Sequence, residues 1–531
     1  MCGLWFNSEK PPMELFLRPF IDELLELHIN GIECNTFNHQ EPILIKVHTL
    51  FSPVDSVARP LIQNIKQFNG KYGCSYCLNK GEHIAIGRGY TRVYPGGKGV
   101  MRTITKHNIY VERAVEKRKA VKGVKGPSIT MLLPTFDVIH SFPPEYMHSC
   151  LLGVTKLFGT SWFDSKNNNK DWYLGSKITE FNEKLLAIQP PCEITRTPQS
   201  MKDSKFKAND WKYFLLYYSL ICLKDLMPQK YIKHWLLFVY SINIFSKTKI
   251  EEDELFKAKT ALREFVLNVE SLYGKEYMKY NVHLLLHIPE YVRNYGAIWA
   301  WSAFPFEHFN GIIASLFHGT QCIPLQICKL YSRLRYIKQQ CEIFSRPNCS
   351  VQGKAIFRYI TKKTKIMKCI EFGDELRIFG KSTEMQLSLR QKLLIEQFLK
   401  ETIENNVQSF QRFTYNNTLY HSFKYSRLIK RNNSTVLLEN RSLMIISDLI
   451  LLKTSDLQTK KYIVLGKELQ IIDEEVCKYK TISSKMFSFI ARHTNNDVCN
   501  FLSAIRKKCV YIPYKDDKLC IIPLVNTLET D

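Results

Sequence analysis

The alternation of apolar and polar positions near the start of the chain predicts a mixed segment of strands and a helix. GLWF, at residues 3–6, is a short apolar run, and ILIKVHTLF, at residues 43–51, alternates with the period of a strand. Between them, residues 13–28 repeat their apolar positions with helical spacing, and Asn30-Gly31 closes that repeat as a turn. The order strand, helix, strand favours an α/β core.

A helical pattern dominates the middle of the chain. From about residue 150 to residue 290, apolar residues recur with helical spacing in WKYFLLYYSLICLKDL, YIKHWLLFVYSINIF and ELFKAKTALREFVLNVESLYG. This block predicts a largely helical insertion between elements of the core.

The chain changes pattern again after SRPNCSVQGKA, at residues 345–355, where Pro and Gly indicate a linker. A helix is expected near residues 387–404, and short β-branched runs follow in TVLLEN, SLMIISDLILL, KYIVLGKEL, CVYIPY and KLCIIPLV. These runs predict a small antiparallel β-rich domain, to which the sequence assigns no reaction.

Composition indicates an intracellular globular protein. The chain has 531 residues, of which 45% are hydrophobic, enough for about two to four domains. Its 16 cysteines form no regular framework, which favours reduced thiols. The N-terminus lacks the apolar stretch of a signal peptide, and runs such as FLLYYSLICL are far shorter than the roughly 20 residues that cross a bilayer. We therefore expect a soluble protein in the nucleus or cytoplasm, with no membrane partner.

The net charge of +24 favours a polyanionic partner, DNA or RNA. Residues 102–125 contain eight basic residues and two acidic ones, a pattern that predicts an exposed helix and loop along a phosphate backbone. An ordinary solvated basic face is the alternative. The eight candidate DNA-binding residues are Arg102, Lys106, Arg113, Lys117, Arg118, Lys119, Lys122 and Lys125.

Two pairs of residues have the spacing of zinc ligands. GCSYC places Cys74 and Cys77 in a Gly-flanked turn, where two thiolates can bind one Zn²⁺. NVHLLLH places His283 and His287 four residues apart, on one face of a helix. Together the pairs would complete a closed structural Cys₂His₂ site. Random placement gives roughly half a CxxC and roughly a third of an HxxxH per chain, so a free CxxC and two buried histidines remain the alternative.

A family resemblance joins these motifs. SPVDSVARP, QFNGKYGCSYC, EYMHSCLLGVTK, VHLLLHIPEYV and FPFEHFNG resemble the CACTA (En/Spm-like) transposases and their domesticated insect relatives, over most of residues 1–342. The same order of Asp, CxxC, paired His and Glu occurs in the catalytic subunit of the V(D)J recombinase, a distant relative. The resemblance implies a ribonuclease-H-like core, a transposable-element origin, and metal-dependent DNA cleavage and recombination of the DDE type.

The resemblance also assigns roles to residues. Asp55, nineteen residues before Cys74, is similar to the second metal-binding Asp of the family, and Glu307, twenty residues after His287, to its closing Glu. Cys74, Cys77, His283 and His287 resemble the zinc ligands. The first catalytic Asp of such transposases lies in a DGLP-like motif upstream of the segment that resembles GLWFNSEKPPMELFLRPF, and this sequence begins too late to include it.

The missing first Asp affects the DNA cleavage that the resemblance implies. In-line displacement at phosphorus uses two Mg²⁺ ions about 3.5–4 Å apart, held by oxygen ligands from several carboxylates. Asp55 and Glu307 alone would hold Mg²⁺ or Mn²⁺ poorly, and Asp22, the alternative, falls within an amphipathic helix. We therefore expect impaired catalysis by this polypeptide.

A further polar cluster lies in FDVIHSFPPEYMH. Asp137, His140, Glu145 and His148 could form a second metal site, but a structural role with His148 hydrogen-bonded is the favoured interpretation. His308, beside Glu307, could transfer protons, support a metal ligand or face DNA. No P-loop or GxGxxG is present, so no nucleotide cofactor is expected.

The predicted fold is an α/β ribonuclease-H-like core, interrupted by a largely helical insertion and followed by a small β-rich C-terminal domain. The domains are expected at 1–130 (incomplete core with the CxxC half-site), 131–280 (insertion), 281–342 (HxxxH half-site and closing Glu helix), 343–385 (linker) and 386–531 (helix and β-rich domain). We expect a transposon-derived protein that binds double-stranded DNA. The family resemblance also implies that copies of the chain form a homo-oligomer. The alternative is a non-enzymatic, zinc-stabilised nucleic-acid-binding or protein-interaction module.

Overall fold

The chain folds into two compact units. One consists of Met1–Ser161 with Leu237–Leu334, and the other of Trp162–Leu236 with Arg335–Thr530. The computed structural model describes residues 3–35, 41–202, 205–345, 350–353, 369–373, 375–425, 430–453, 460–526 and 528–529.

Helices make up much of the chain before residue 345, and two π-helical segments, Met147–Thr155 and Phe214–Tyr218, interrupt them. Among the described residues, none of the helices combines the length and apolar character that crossing a membrane requires. In chain order the α-helices are α1 Met13–Ile29, α2 Ala58–Ile62, α3 Ile104–Glu116, α4 Lys156–Ser161, α5 Ile178–Leu186, α6 Ala208–Tyr213, α7 Ser219–Leu223, α8 Gln229–Phe245, α9 Glu252–Tyr273, α10 Tyr280–Leu284, α11 Ile288–Tyr295, α12 Phe304–Ala314, α13 Ile323–Ser345 and α14 Leu389–Leu399.

Strands are concentrated in the C-terminal part of the chain. They are β1 Ile32–Cys34, β2 Ile43–Ile45, β3 Glu82–Ile86, β4 Gly89–Val93, β5 Cys369–Phe372, β6 Leu376–Phe379, β7 Thr383–Gln386, β8 Asn406–Phe410, β9 Arg412–Tyr415, β10 Thr418–His421, β11 Thr435–Leu438, β12 Leu443–Lys453, β13 Lys460–Ile472, β14 Lys478–Tyr479, β15 Ile482–Ser483, β16 Phe489–Phe501, β17 Ile505–Pro513 and β18 Lys518–Pro523.

The first unit is mainly helical. Its described strands form two antiparallel hairpins, β1 with β2 and β3 with β4. One face of α1 packs through Ile21 onto Leu133 and Phe142, and this cluster forms a small hydrophobic core. The described strands of this unit therefore contain no counterpart of the sheet expected for a ribonuclease-H-like core, which stays a prediction.

The N-terminal strand predicted at GLWF differs from the structure. Leu4, Trp5 and Phe6 have no strand partner among the described residues, and their side chains are at least 36% exposed. A strand needs a neighbour to accept and donate its backbone hydrogen bonds, so an apolar run alone does not form one. The strand expected over residues 43–51 shortens to β2 for the same reason.

The second unit contains a closed six-stranded antiparallel barrel. Its strands follow the order β11, β17, β18, β16, β13 and β12, and β12 pairs back with β11 to close it. Strands β8 and β7 extend the sheet from β12. The interior is filled by apolar side chains from all six strands, among them Leu437, Leu443, Leu469, Ala491, Cys509 and Ile521, all of which are buried. Closure removes the free edges that an open sheet of these strands would expose.

The two units divide the chain differently from the predicted domains. Of the predicted insertion at 131–280, residues 162–236 belong to the second unit and the rest to the first. The predicted linker at 343–385 contains β5, β6 and most of β7, while residues 346–349, 354–368 and 374 of it lie outside the described residues.

Candidate metal centre and carboxylate site

Cys74 and Cys77 lie in a tight turn that the surrounding backbone holds closely. A side chain at Gly73 would place its Cβ 2.1 Å from the backbone oxygen of Gln67, so glycine is required for this close approach. The Arg102 guanidinium donates to the Cys74 carbonyl at 2.9 Å, and the Arg102 backbone N–H donates to the Tyr76 carbonyl at 2.9 Å. The two thiols are therefore fixed on a rigid loop.

His283 and His287 come from the end of α10 and the turn that follows it. The His287 backbone N–H bonds to the Leu284 carbonyl at 2.9 Å, and α11 begins directly afterwards with Pro289 in its first turn. The two histidines do not share one helix face as predicted, because α10 ends between them, but the turn still brings their Nε2 atoms to 3.3 Å from each other. Both histidines are fully buried.

The four side chains converge on one point. Cys74 Sγ lies 3.6 Å from His287 Nε2, Cys77 Sγ lies 3.3 Å from His283 Nε2, and the two Nε2 atoms are 3.3 Å apart. All four ligand atoms lie within 4.8 Å of one another. Zn–S bonds near 2.3 Å and Zn–N bonds near 2.0–2.1 Å at tetrahedral angles require ligand separations of roughly 3.3 to 3.8 Å. The buried Cys₂His₂ group could therefore hold a metal ion such as zinc.

The electrostatics of the group suit a cation. Burial raises the pKa of the Cys74 thiol well above its usual value, whereas the hydrogen bond with Cys74 lowers the pKa of Cys77. Burial also lowers the pKa of His287 to about 4, so its imidazole is neutral at pH 7. A neutral imidazole and a thiolate are the forms that bind metal.

Aromatic rings enclose the group. Tyr76 lies 5.0 Å from the His287 ring, and Tyr94 stacks on the His283 ring at 5.2 Å. The two thiols and two imidazoles are fully buried. The arrangement has the closed character of a structural metal site rather than the open position of a catalytic one.

Asp55 caps the beginning of α2. Its Oδ1 accepts the backbone N–H groups of Val57 at 2.9 Å and Ala58 at 2.6 Å. One turn later, the fully buried Arg59 donates to Ser75 Oγ at 3.2 Å and to Tyr280 OH at 3.1 Å. Asp55 is thus linked through Arg59 to both halves of the metal centre, and sequence analysis missed Arg59. Its only signal was its position inside SPVDSVARP.

Glu145 joins two helical segments through one carboxylate. Its Oε1 accepts the N–H groups of Met147 and Ala303, both at 2.7 Å, and its Oε2 accepts the N–H of His148 at 2.8 Å. Ala303 immediately precedes α12, which carries Glu307 in its exposed first turn. Glu145 therefore holds the beginning of the Glu307 helix beside the π-helical segment.

His148 is hydrogen-bonded to Glu145 and senses the charges of the predicted catalytic carboxylates. Its Nδ1 forms a 2.7 Å hydrogen bond with Glu145, which raises the pKa of the imidazole, and the negative charges of Asp55 and Glu307 raise it further. The structure therefore brings Asp55 and Glu307 within electrostatic range of one ring. Among the described residues, however, only the Cys₂His₂ group gathers three or more ligand atoms closely enough for one ion.

The cluster in FDVIHSFPPEYMH forms two separate pairs instead of one four-ligand site. Asp137 pairs with His140 at 2.8 Å, and Glu145 pairs with His148 at 2.7 Å. Since each carboxylate also accepts backbone N–H groups, both pairs have structural roles. His308 is exposed next to Glu307.

The basic side chains of the predicted segment are exposed except for that of Arg102. The Arg102 side chain is 97% buried because its guanidinium donates to the carbonyls of Cys74, Tyr72 and Lys122. We therefore correct the sequence interpretation: Arg102 braces the metal-binding loop and is removed from the DNA-binding candidates. The exposed members, on α3 and the loop after it, are Lys106, Arg113, Lys117, Arg118, Lys119, Lys122 and Lys125.

Comparison of the chain with models of known protein families and with curated proteins found no match.

Proposed function

We propose that this chain is a zinc-stabilised, transposon-derived protein of the DDE transposase type that binds double-stranded DNA in the nucleus. The observation that carries the proposal is the Cys₂His₂ group, which joins two chain segments 206 residues apart in the order that the CACTA-like motifs require. The ribonuclease-H-like core and the homo-oligomer belong to the same proposal and rest on the resemblance alone.

Zinc has a structural role in this proposal. The group is buried, its four ligands would fill a tetrahedron, and no position is left for substrate. The metal would lock the loop that contains Arg102 and, through Arg59, the segment that contains Asp55. Its binding free energy would contribute directly to folding.

DNA would lie along the exposed basic residues of α3 and the following loop. The loop is held in place because the Lys66 N–H bonds to the Gly123 carbonyl at 2.7 Å and the Lys125 N–H bonds to the Asn64 carbonyl at 2.9 Å. Positive side chains on a fixed backbone can contact DNA phosphates, and such contacts do not depend on the base sequence.

In this proposal the chain has few ligands for the metal ions that DNA cleavage requires. Asp55 and Glu307 would bind Mg²⁺ or Mn²⁺ together with a DNA phosphate, with His148 beside them. Glu145 already uses both of its oxygens for backbone N–H groups, so it supplies no third carboxylate. We therefore propose that this polypeptide binds DNA and cleaves it poorly or not at all.

A non-enzymatic, zinc-stabilised binding module is the second candidate. It is favoured by the role of Asp55, whose Oδ1 is occupied with helix capping.

The proposal is tested with the purified full chain. We expect about one zinc per chain by elemental analysis, with loss of that zinc in Cys77→Ser and retention in the exposed control Cys322→Ser. Duplex DNA should bind with a steep dependence on salt. A chain that folds without zinc, or a DNA affinity that is indifferent to salt, would overturn the corresponding part.

Cleavage is tested on the same preparation. Nicking of plasmid DNA is measured with Mg²⁺ or Mn²⁺ for the wild-type chain, Asp55→Asn and Glu307→Gln. Absent nicking with intact zinc and DNA binding supports the binding protein. Nicking that both variants abolish would instead establish an active nuclease at this site.

A further inference from the structure

A cavity of about 560 Å³ opens in the second unit, beside the barrel strands. Volumes of roughly 300–1,000 Å³ are typical of small-ligand sites. Its fifteen described lining residues include two permanent cations, Arg431 and Lys467, and no carboxylate. The cavity therefore favours an anionic ligand.

Neutral acceptors hold the Arg431 guanidinium at the cavity wall. Its guanidinium donates to the backbone carbonyls of Pro191, Ile194 and Thr195 at 2.6–3.0 Å. These acceptors are neutral, so they fix the orientation of the guanidinium without cancelling its charge. Lys467, by contrast, is paired with Asp497 at 2.8 Å. Arg431 is thus the fixed positive group of this wall.

His421 supplies an unsatisfied hydrogen-bond donor. The amide orientation of Asn433 is settled because its Oδ1 accepts Lys508 Nζ at 2.7 Å, so its Nδ2 donates to His421 Nδ1 at 3.0 Å. The proton of the neutral ring must then be on Nε2, which is buried and has no partner among the described residues. Burial, together with the charges of Lys508 and Arg412, lowers the pKa of His421 to about 4 and keeps the ring neutral.

Aromatic side chains complete the wall. The Tyr425 ring stacks on His421 at 4.7 Å, and Phe423 is 56% exposed although its backbone N–H is fixed by the Ile446 carbonyl at 2.9 Å. An exposed aromatic ring on a fixed backbone is a platform on which a flat ring can stack.

We propose that this cavity binds a nucleotide, with its phosphate beside Arg431 and its base stacked on Phe423, next to the His421 ring. A fixed cation and an aromatic platform match the phosphate and the base plane of one ligand. The nucleotide is either free or an unstacked residue of a single strand. The chain lacks a Gly-rich phosphate loop, so the proposal concerns binding without phosphoryl transfer. It does not depend on the proposed function, whose residues lie in the other unit.

Calorimetric titration of the full chain with AMP, and separately with a ten-nucleotide single-stranded oligothymidylate, tests the proposal. We expect saturable binding that weakens about tenfold in Phe423→Ser and in His421→Phe. Leu389→Ser, which changes a still more exposed apolar side chain of the same unit, should bind as the wild type does. Tighter binding of the oligonucleotide identifies a strand as the source, and tighter binding of AMP a free nucleotide.

Several outcomes would overturn the proposal. One is that neither AMP nor the oligonucleotide binds. Another is that Phe423→Ser binds with unchanged affinity. This second result can be interpreted even if His421→Phe does not fold. Competition by inorganic phosphate as effective as that by AMP would reduce the cavity to a simple anion site.

Discussion

The Glu145 carboxylate accepts hydrogen bonds from the beginnings of two helical segments. The residue is 98% buried, and the three backbone N–H groups that it accepts come from Met147, His148 and Ala303. When a buried acceptor is removed, each of its donors is left without a hydrogen bond, which lowers the free energy of unfolding by about 1–3 kcal/mol per donor. The position of Glu307 therefore depends on a residue that contacts neither metal nor DNA in our proposal.

Glu145→Gln should destabilise the first unit by about 1–3 kcal/mol, because the amide NH₂ faces N–H groups that the carboxylate accepted. The same change should return the pKa of His148 towards 6.5, since the bond from Glu145 is the main cause of its raised value. Urea unfolding and NMR titration measure both effects. The exposed control Glu112→Gln should change neither, and a Glu145→Gln chain as stable as this control would refute the role.

The pair of Asp137 and His140 should make stability depend on pH in a defined window. Burial opposes ionisation of Asp137, but the hydrogen bond from His140 outweighs it and lowers the pKa to about 2 from 3.8. This contribution is complete above pH 3.8 and is lost as pH falls towards 2. The pKa of His140 is raised by the same bond, so its contribution is complete below pH 6.5 and is lost as pH rises through the raised value.

We therefore expect Asp137→Asn to reduce stability most between about pH 4 and pH 6.5, and less at pH 3 and pH 8. The substitution keeps an oxygen for the N–H groups of Ile139 and His140, so it isolates the charge. Urea midpoints of both chains at these pH values give the difference. A difference that does not vary with pH would contradict the assignment.

Residue chemistry that depends on short spacing could be predicted from the sequence, whereas distant partners could not. The spacing of Cys74 with Cys77, and of His283 with His287, predicted two possible half-sites, and the structure brings them together in one group. Arg102 looked like part of a basic run, but its burial is determined by carbonyls 20 to 30 residues away. Arg59 depends similarly on Tyr280, 221 residues later.

At the scale of elements, α3 and its following loop present seven exposed basic side chains on one continuous segment. The Thr103 side chain caps α3 by accepting the Lys106 N–H, and positive φ angles at Arg118 and Lys122 turn the chain sharply after the helix. The turn keeps the later charges close to the helix end.

Replacing Lys117, Arg118 and Lys119 together by Gln should reduce the salt dependence of duplex binding. If each contacts one phosphate, the slope of log K against log salt falls by about 2.7 units, from 0.9 per contact. Fluorescence anisotropy at several salt concentrations measures the slope. Gln at the exposed Lys257, Lys259 and Arg263 of α9 removes the same charge elsewhere and should have little effect. Equal changes in both variants would mean that only net charge matters.

Helices were more predictable than strands because their pattern is local. The helix expected over residues 13–28 agrees with α1. Strand β16 was missed because HTNNDVCN within it is polar, and only its pairing with β13 and β18 holds it in the barrel. Closure by pairing of β11 with β12 likewise depends on contacts that no local pattern specifies.

For the whole molecule, the metal group lies in one unit and the barrel in the other. Chelation by EDTA should therefore lower the melting temperature of the first unit by many degrees and leave the barrel unchanged, because metal binding contributes folding free energy only where its ligands are.

Hydrogen exchange with and without EDTA measures the stability of each unit separately. Amides around Cys74–Cys77 and in α10 and α11 should lose protection, while those of β12 and β13 keep it. Restoration by added zinc is the control. Equal loss of protection in the barrel would mean that the metal stabilises the entire chain as one cooperative body.

The separation of the two ligand pairs has a consequence during synthesis of the protein. Cys77 leaves the ribosome 206 residues before His283. At roughly 5–20 residues per second, this interval lasts about 10 to 40 s. Throughout it, a nascent chain carries two adjacent thiols without their imidazole partners, open to oxidation or to capture of the wrong ion. Cells that make this protein would therefore need a reducing environment at the ribosome for as long as translation of that stretch continues.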